Sequence, residues 1–447
     1  MLFRNNFAKR ALQTTVALAA LTGTAFGPAA AADQEPITIV INQSPWFAGF
    51  QAVVEKYEQE TGNTVELDVN PFAGSLEKQR TAVRSDESPF DLVIMNAGFF
   101  TEFYTGGFLD PLNAIDPEFK LSKDIYTFDD SVCWDAKAVR ITCETGELMS
   151  VPVNPNILIL HYRSDLYQEH NLSVPKTWDE LLENAKVLKS KNMYGISQRG
   201  QRGAFDVTYD VFPYIWAYGG GIIDQQEDGS YRISMNSPET RAGMEMYLKL
   251  AEEVGHPSTA GQTQTNVIQN MATGRAAHID SVLAPGLFDN PDKSAVVGKV
   301  DYAAPPGTVE HGSATPLGHW LAGVPMNIPD ANKKAALAFL TWFQTDAAQR
   351  AYAEAGSAPV SRAVLTSEMA DTQEFRWMKA LADALPNARL TFTIPEASQL
   401  LAVTELRFNQ AIGEEMPLNE ALNTAAAEIA KVLEDAGYKY QKLEDLN

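Results

Sequence analysis

Cysteine is almost absent from this chain: two copies occur in 447 residues, at positions 133 and 143. Two thiols without a histidine near them make a poor zinc site, whereas a disulfide closing that short loop suits an oxidising compartment and stabilises by about 2 to 3 kcal/mol at most. Histidine is scarce too, and its six copies, at 161, 170, 256, 278, 311 and 319, show no metal-ligand spacing. Basic residues are outnumbered, 35 against 57 acidic, for a net charge of −22. Nucleic acid and anionic membrane surfaces would be repelled by such a chain, while a neutral small molecule would not. Hydrolase, metalloprotease and phosphate-loop signatures are missing: there is no G-x-S-x-G, no H-E-x-x-H and no G-x-x-x-x-G-K-S/T, and Gly219, Gly220 and Gly221 lack the G-x-G-x-x-G spacing of a dinucleotide site. The paired carboxylates of a glycosidase assemble from distant loops, so spacing does not exclude them.

Long apolar runs are also lacking. Only the first residues approach one, where Arg4, Lys9 and Arg10 precede an apolar stretch over 16 to 26 and Ala30, Ala31 and Ala32 precede Asp33. This is the pattern of a cleavable secretory signal, expected to end at residue 32. No cysteine marks the cleavage point for a lipid anchor, and no later stretch nears the roughly 18 apolar residues a membrane span requires. A soluble exported product is expected, without membrane insertion and long enough for two or three domains.

From residue 37 the pattern alternates. ITIVI reads as a strand to 41, followed by a helix with Phe50, Val53, Val54 and Tyr57 on one face, a strand VELDV to 69, a helix over 76 to 83 and a strand DLVIM to 95. Such alternation predicts a parallel sheet covered by helices. A strand over 157 to 162 opens a second region of the same kind, with helices over 178 to 189, 206 to 218 and 238 to 254. Thr177 and Glu180 have the spacing of a capping box, and Ser237 followed by Pro238 marks another helix start. Strands over 300 to 303 and 320 to 325 and a helix over 332 to 345 follow. The remainder reads as helical throughout, with Leu418, Leu422, Ala425, Ile429 and Val432 at helical spacing and Gly437 as a stop.

The segment LHYRSDLYQEHNLSVPKTWDELLENAKVLK, over 160 to 189, resembles the extracellular solute-binding proteins of ABC importers, in particular the carbohydrate-binding group that includes maltose-binding protein. The resemblance rests there on Tyr162, Asp165, Leu166, Pro175, Thr177, Trp178, Asp179, Glu180 and Leu181, and extends through FDLVIMNAGFFTEFYTGGFLDPLN, NSPETRAGMEMYLKL, MATGRAAHIDS and LAGVPMNIPDANKKAALAFLTWF. It implies an α/β, two-lobed periplasmic-binding-protein fold (type II), with discontinuous lobes: residues 33 to 152 plus 318 to 360, and 155 to 315 plus 363 to 447. Hinge crossings fall near 151 to 156, 314 to 320 and 358 to 365. It further implies a monomer that binds a small carbohydrate reversibly in the periplasm, with no cofactor and no catalysis, and presents it to ABC permease subunits. A secreted glycosidase or lyase, or a ligand-sensing partner of a membrane receptor, are the alternatives.

Sugars and polyols offer hydroxyls in several directions and apolar C–H faces, so their sites need planar polar groups and aromatic rings. In open α/β sheets ligands lie beyond the carboxyl ends of strands. The residues in such places are Trp46, Phe47, Asn96, Phe99, Asn154, Asn156, Gln198, Arg202, Trp216, Asp280, His319 and Trp320. Trp46 and Phe47 have the alternative of anchoring the following helix, and Arg199 with Arg202 that of holding a phosphate or carboxylate bidentately. Trp178, Tyr162 and Asp165 read as structural.

Overall fold

The computed structural model describes residues 34 to 447, so the expected export signal over 1 to 32 lies outside the described residues. The strands that set the frame are β1 (Ile37–Asn42), β2 (Val65–Asn70), β3 (Leu92–Asn96), β4 (Ser150–Asn154), β5 (Ile159–Arg163), β6 (His278–Ser281), β7 (Val300–Ala303) and β8 (Trp320–Gly323). The helices that pack on them include α1 (Phe47–Thr61), α2 (Phe72–Ala82), α3 (Trp178–Leu188), α4 (Asp206–Ala217), α5 (Pro238–Val254), α6 (Gln264–Ala272), α7 (Asp330–Phe343), α8 (Ala397–Ile412) and α9 (Leu418–Asp435).

The first lobe is built on a five-stranded sheet in the order β2, β1, β3, β8, β4. β1 is a run of β-branched residues buried along nearly its whole length, as a strand covered on both faces requires. It pairs in parallel with β2, Ile37 opposite Val65, and with β3. Helix α1 lays Phe50, Val53, Val54 and Tyr57 on this sheet and ends at Gly62, whose φ of 73° glycine reaches without strain. The sheet is mixed, since β8 runs antiparallel to both β3 and β4.

The second lobe departs from the expected parallel arrangement: β6, β5 and β7 form an antiparallel sheet. Helix α3 returns the chain not beside β5 but to an extended segment in which Tyr194 and Ser197 bridge in parallel to Ala276 and Ile279, at the far edge of β6. The helix starts are those that local chemistry dictates. The Thr177 Oγ1 accepts from the Glu180 N–H at 3.2 Å while the Glu180 carboxylate accepts from the Thr177 N–H at 3.3 Å. Ser237 caps α5 through the Thr240 N–H at 3.1 Å, with Pro238 in the first turn. Trp178, fully buried, stacks on Tyr214 with ring centres 3.8 Å apart.

Two of the chain crossings are tied to one another. The Gly318 N–H donates to the Asn156 carbonyl at 2.7 Å, and the Thr315 hydroxyl bonds both the N–H and the carbonyl of Leu158 at 3.0 Å. Helices α8 and α9 close the second lobe. The buried face of α9 is Ala421, Leu422, Ala425, Ala426, Ile429, Ala430 and Leu433, leaving the expected Leu418 and Val432 at its edges. The chain does not end helically: Tyr440–Lys442 pairs in parallel with Tyr231–Ile233. Cys133 and Cys143 are disulfide-bonded on the first lobe, beside the short pairing of Cys133 with Leu148.

Candidate functional site

A cavity of about 500 Å³ lies between the lobes, within the range of small-molecule sites. From the first lobe, Asn42 ends β1 and Ser44 follows it, Phe72 opens α2, Asn96 ends β3 and Trp320 begins β8. Asn156 and Gly318 contribute from the crossings. The second lobe supplies Arg199, the loop 203 to 206, Tyr209 on α4, and Gln264 and Thr265 at the start of α6.

The two walls touch at one aromatic seam. Phe72 meets Phe205 edge-on at 5.3 Å and Trp320 at 5.9 Å. A Cβ on Gly98 would come within 2.7 Å of the Phe205 ring, so the close approach of the lobes there depends on glycine.

The polar wall centres on Arg199, which is only 3% exposed. Its Nε donates to Asp210 Oδ1 at 2.9 Å, and its Nη1 to Asp206 Oδ1 at 3.4 Å and Gln264 Oε1 at 3.3 Å. Burial opposes the guanidinium charge, but Asp210 and Asp206 outweigh it and hold Arg199 above its ordinary range. Burial also pushes the Asp210 carboxyl up to about 6 against the pull of Arg199. A guanidinium in this bonding geometry keeps Asp210 ionised at neutral pH. Behind them Asp280, 2% exposed, is raised well above the carboxylate range, first by burial and then by the charge of Asp210.

Among the described residues, four of this wall carry buried polar atoms with no hydrogen-bond partner: Asn42 Oδ1, Ser44 Oγ, Arg199 Nη2 and Trp320 Nε1. An unpaired buried polar group is unfavourable by about 1 to 3 kcal/mol. All four belong to residues of one cavity wall, although the atoms themselves are shut off from solvent.

Of the residues expected at the site, Asn96, Asn156 and Trp320 line this cavity. Asn154 stands one step behind, its Nδ2 donating to Asn156 Oδ1 at 3.0 Å. The others lie off this wall. Trp46 packs under it, against Phe50 and Trp320, and Phe47 lies half-buried in the first turn of α1. Phe99 is buried against Phe72 and Phe103. Gln198 turns inward, its Nε2 donating to the Tyr214 hydroxyl at 3.2 Å. Arg202 is exposed on the loop, and Trp216 packs on Phe212 at 4.4 Å. Asp280 sits behind Arg199. His319 is fully buried, paired through Nε2 with the Ser131 hydroxyl at 2.7 Å, and burial pushes it down to about 3.

The phosphate reading of Arg199 with Arg202 meets an obstacle, since the Arg199 fork is engaged by two carboxylates. Asn42, Ser44, Phe72, Phe205 and Gln264 had no place in the sequence reading. Their signal was positional: each follows a strand end or sits at a helix start. Among the described residues no three of His, Cys, Asp or Glu stand where they could hold a metal ion, and no helix is long and apolar enough to cross a membrane.

The comparisons with known proteins agree with this architecture. The sequence pattern of the bacterial extracellular solute-binding proteins matches residues 42 to 350. The chain is 22% identical to a mannitol-binding protein of Pseudomonas aeruginosa, over 80% of this chain and 84% of that one. It is 30% identical to an sn-glycerol-3-phosphate-binding periplasmic protein of Rhizobium meliloti, over 41% of this chain and 48% of that one. Its fold is that of an ABC transporter solute-binding protein from Agrobacterium radiobacter K84 solved in complex with ribitol, with a TM-score of 0.77, 23% identity, and 90% of this chain and 99% of that one covered. The matched pattern spans well over half of the chain, which therefore belongs to the family of bacterial extracellular solute-binding proteins.

Proposed function

We propose that this protein captures a small, uncharged polyol or sugar reversibly in the inter-lobe cleft and delivers it, unaltered, to the permease of an ABC importer from the periplasm. The observation that carries this reading is a cavity of about 500 Å³ whose wall sets Asn42, Asn96, Asn156 and Gln264 beside Phe72, Tyr209 and Trp320. Each hydroxyl of a polyol both donates and accepts, so a guest of this class pairs with the amide side chains of the wall, while Phe72, Trp320 and Tyr209 cover its C–H faces. The compensation of Arg199 by Asp210 and Asp206 supports a neutral guest over a phosphate. Capture then follows from closure of two lobes, 33 to 152 plus 318 to 360 against 155 to 315 plus 363 to 447, about the tied crossings. Water leaves the cleft and the hydrogen bonds act in a drier medium. Catalysis has no part in this reading.

Of the relatives, the one named for mannitol supports a neutral guest and the one named for glycerol 3-phosphate stands for the charged alternative. A thermal-shift panel of D-mannitol, ribitol, maltose and sn-glycerol 3-phosphate separates them. A ligand at 100 times its dissociation constant stabilises by about 2.7 kcal/mol. The proposal expects a rise in Tm with a neutral polyol or sugar, with the ligand recovered intact by NMR. A rise with the phosphate alone, or a consumed ligand, would refute it.

A further inference from the structure

The lip of the cleft that bears Phe205 is held from behind by α8. Residues Gly203, Ala204 and Phe205 are three in succession with positive φ, at 97°, 56° and 64°. Side chains seldom adopt that conformation, and a run of it persists only where neighbours over-determine it. Glu405, on α8 and 8% exposed, is that neighbour: its carboxylate accepts the Gly203 N–H at 2.9 Å. One turn further on, Asn409 Nδ2 donates to the carbonyls of Gly200 at 2.7 Å and Ala260 at 2.9 Å. The Thr404 and Thr208 hydroxyls bond each other at 2.9 Å, fixing α8 to α4. Glu405 is kept there against its own solvation, since burial pushes its carboxyl up to about 7. It is not among the residues of the cavity wall, so packing around a ligand does not account for it.

We infer that Glu405 is a positioning residue for ligand capture: its carboxylate fixes the loop 203 to 205 so that Phe205 reaches Phe72 and Gly98 across the cleft and shuts the guest in. The inference rests on the proposed capture function, and it assigns to a side chain outside the wall the control of how long the lid of the cleft stays shut. Glu405 acts on the ligand only through the loop, so its effect passes through Phe205.

The test uses the full chain with D-mannitol and ribitol as probes and the variants E405L, E405Q and F205A. E405Q retains an acceptor for the Gly203 N–H and keeps the volume, so it stays within about threefold of the parent in dissociation rate, whereas E405L speeds release about tenfold or more. In an F205A background, E405L adds less than about twofold, because coupled residues are not additive. Additive losses in the double variant, or E405L releasing ligand at the parental rate, would overturn the inference. Hydrogen exchange without ligand separates this inference from the capture reading. E405L loses protection at the Gly203 amide and E405Q keeps it. Should the parent bind neither probe, the capture reading fails, and unchanged amide protection in E405L would overturn the hold on the loop independently.

Discussion

The two walls of the cleft are made of different materials. The first-lobe wall presents Trp320, Asn42 and Asn96 from the ends of strands in a five-stranded sheet, and Phe72 from the start of α2. The second-lobe wall presents Arg199, Asp206, Gln264 and Phe205 from a loop with left-handed residues and from helix starts. A sheet edge gives a rigid platform, and loops give directed polar groups. Both walls carry hydrogen-bonding groups, and the contrast lies in the charged cluster of Arg199, Asp206 and Asp210 on the second, which also lends Phe205 to the aromatic seam.

The polar wall breaks first at its buried ion pair. D210A strands the Arg199 charge, and removing one partner of such a pair lowers stability by about 3 to 5 kcal/mol. Urea unfolding checks this; a loss under 1 kcal/mol would mean that Asp206 and Asp280 suffice for Arg199. The disulfide serves as a contrast outside both walls. Replacing Cys133 and Cys143 with serine lowers stability by about 2 to 3 kcal/mol through the freed loop, while calorimetry finds ligand affinity unchanged. G98A strikes the seam itself, because its methyl group meets the Phe205 ring. Affinity falls about tenfold, equivalent to about 1.4 kcal/mol, with little change in unfolding.

The smallest expected effect concerns pH. His161 and His278 on the second-lobe sheet, and His319 at a crossing, are fully buried and pushed down to about 4, 4 and 3 by desolvation. Their unfolded forms take up protons as pH falls below about 6.5 while the folded forms do not, so the stability they contribute is present above that value and is lost on acidification. His161 Nε2 has no partner and its ring lies against Phe288 and Tyr302. The H161F variant is therefore expected to lose about 1 kcal/mol less than the parent between pH 6.5 and 5.5. Equal losses in urea titrations would show that His161 does not stay neutral in the fold.

Local chemistry made much of this fold legible in the sequence. Thr177 with Glu180, Ser237 with Pro238, and the β-branched run of β1 need no distant partner to declare themselves. Strand pairing did not, because the direction of β5 relative to β6 and β7 is decided by where α3 delivers the chain. At the site, strand ends and crossings pointed to Asn96, Asn156 and Trp320. Asn42 ends β1 and Trp46 follows it, and the spacing of Trp46 to Phe50 places those two on one helical face, which is the core. Gln198 and Arg199 are neighbours in an extended segment, where successive side chains point opposite ways. A single-residue slip therefore exchanged the cavity residue for the core one.

Calorimetric titration of the full chain with D-mannitol and ribitol, set beside sn-glycerol 3-phosphate, tests the central claim most directly. The account predicts saturable one-to-one binding of at least one of the two neutral polyols, abolished by substitution of Arg199 or Trp320, and no heat from the phosphate. Binding of glycerol 3-phosphate alone would contradict a cleft whose cation Arg199 is already neutralised by Asp210 and Asp206.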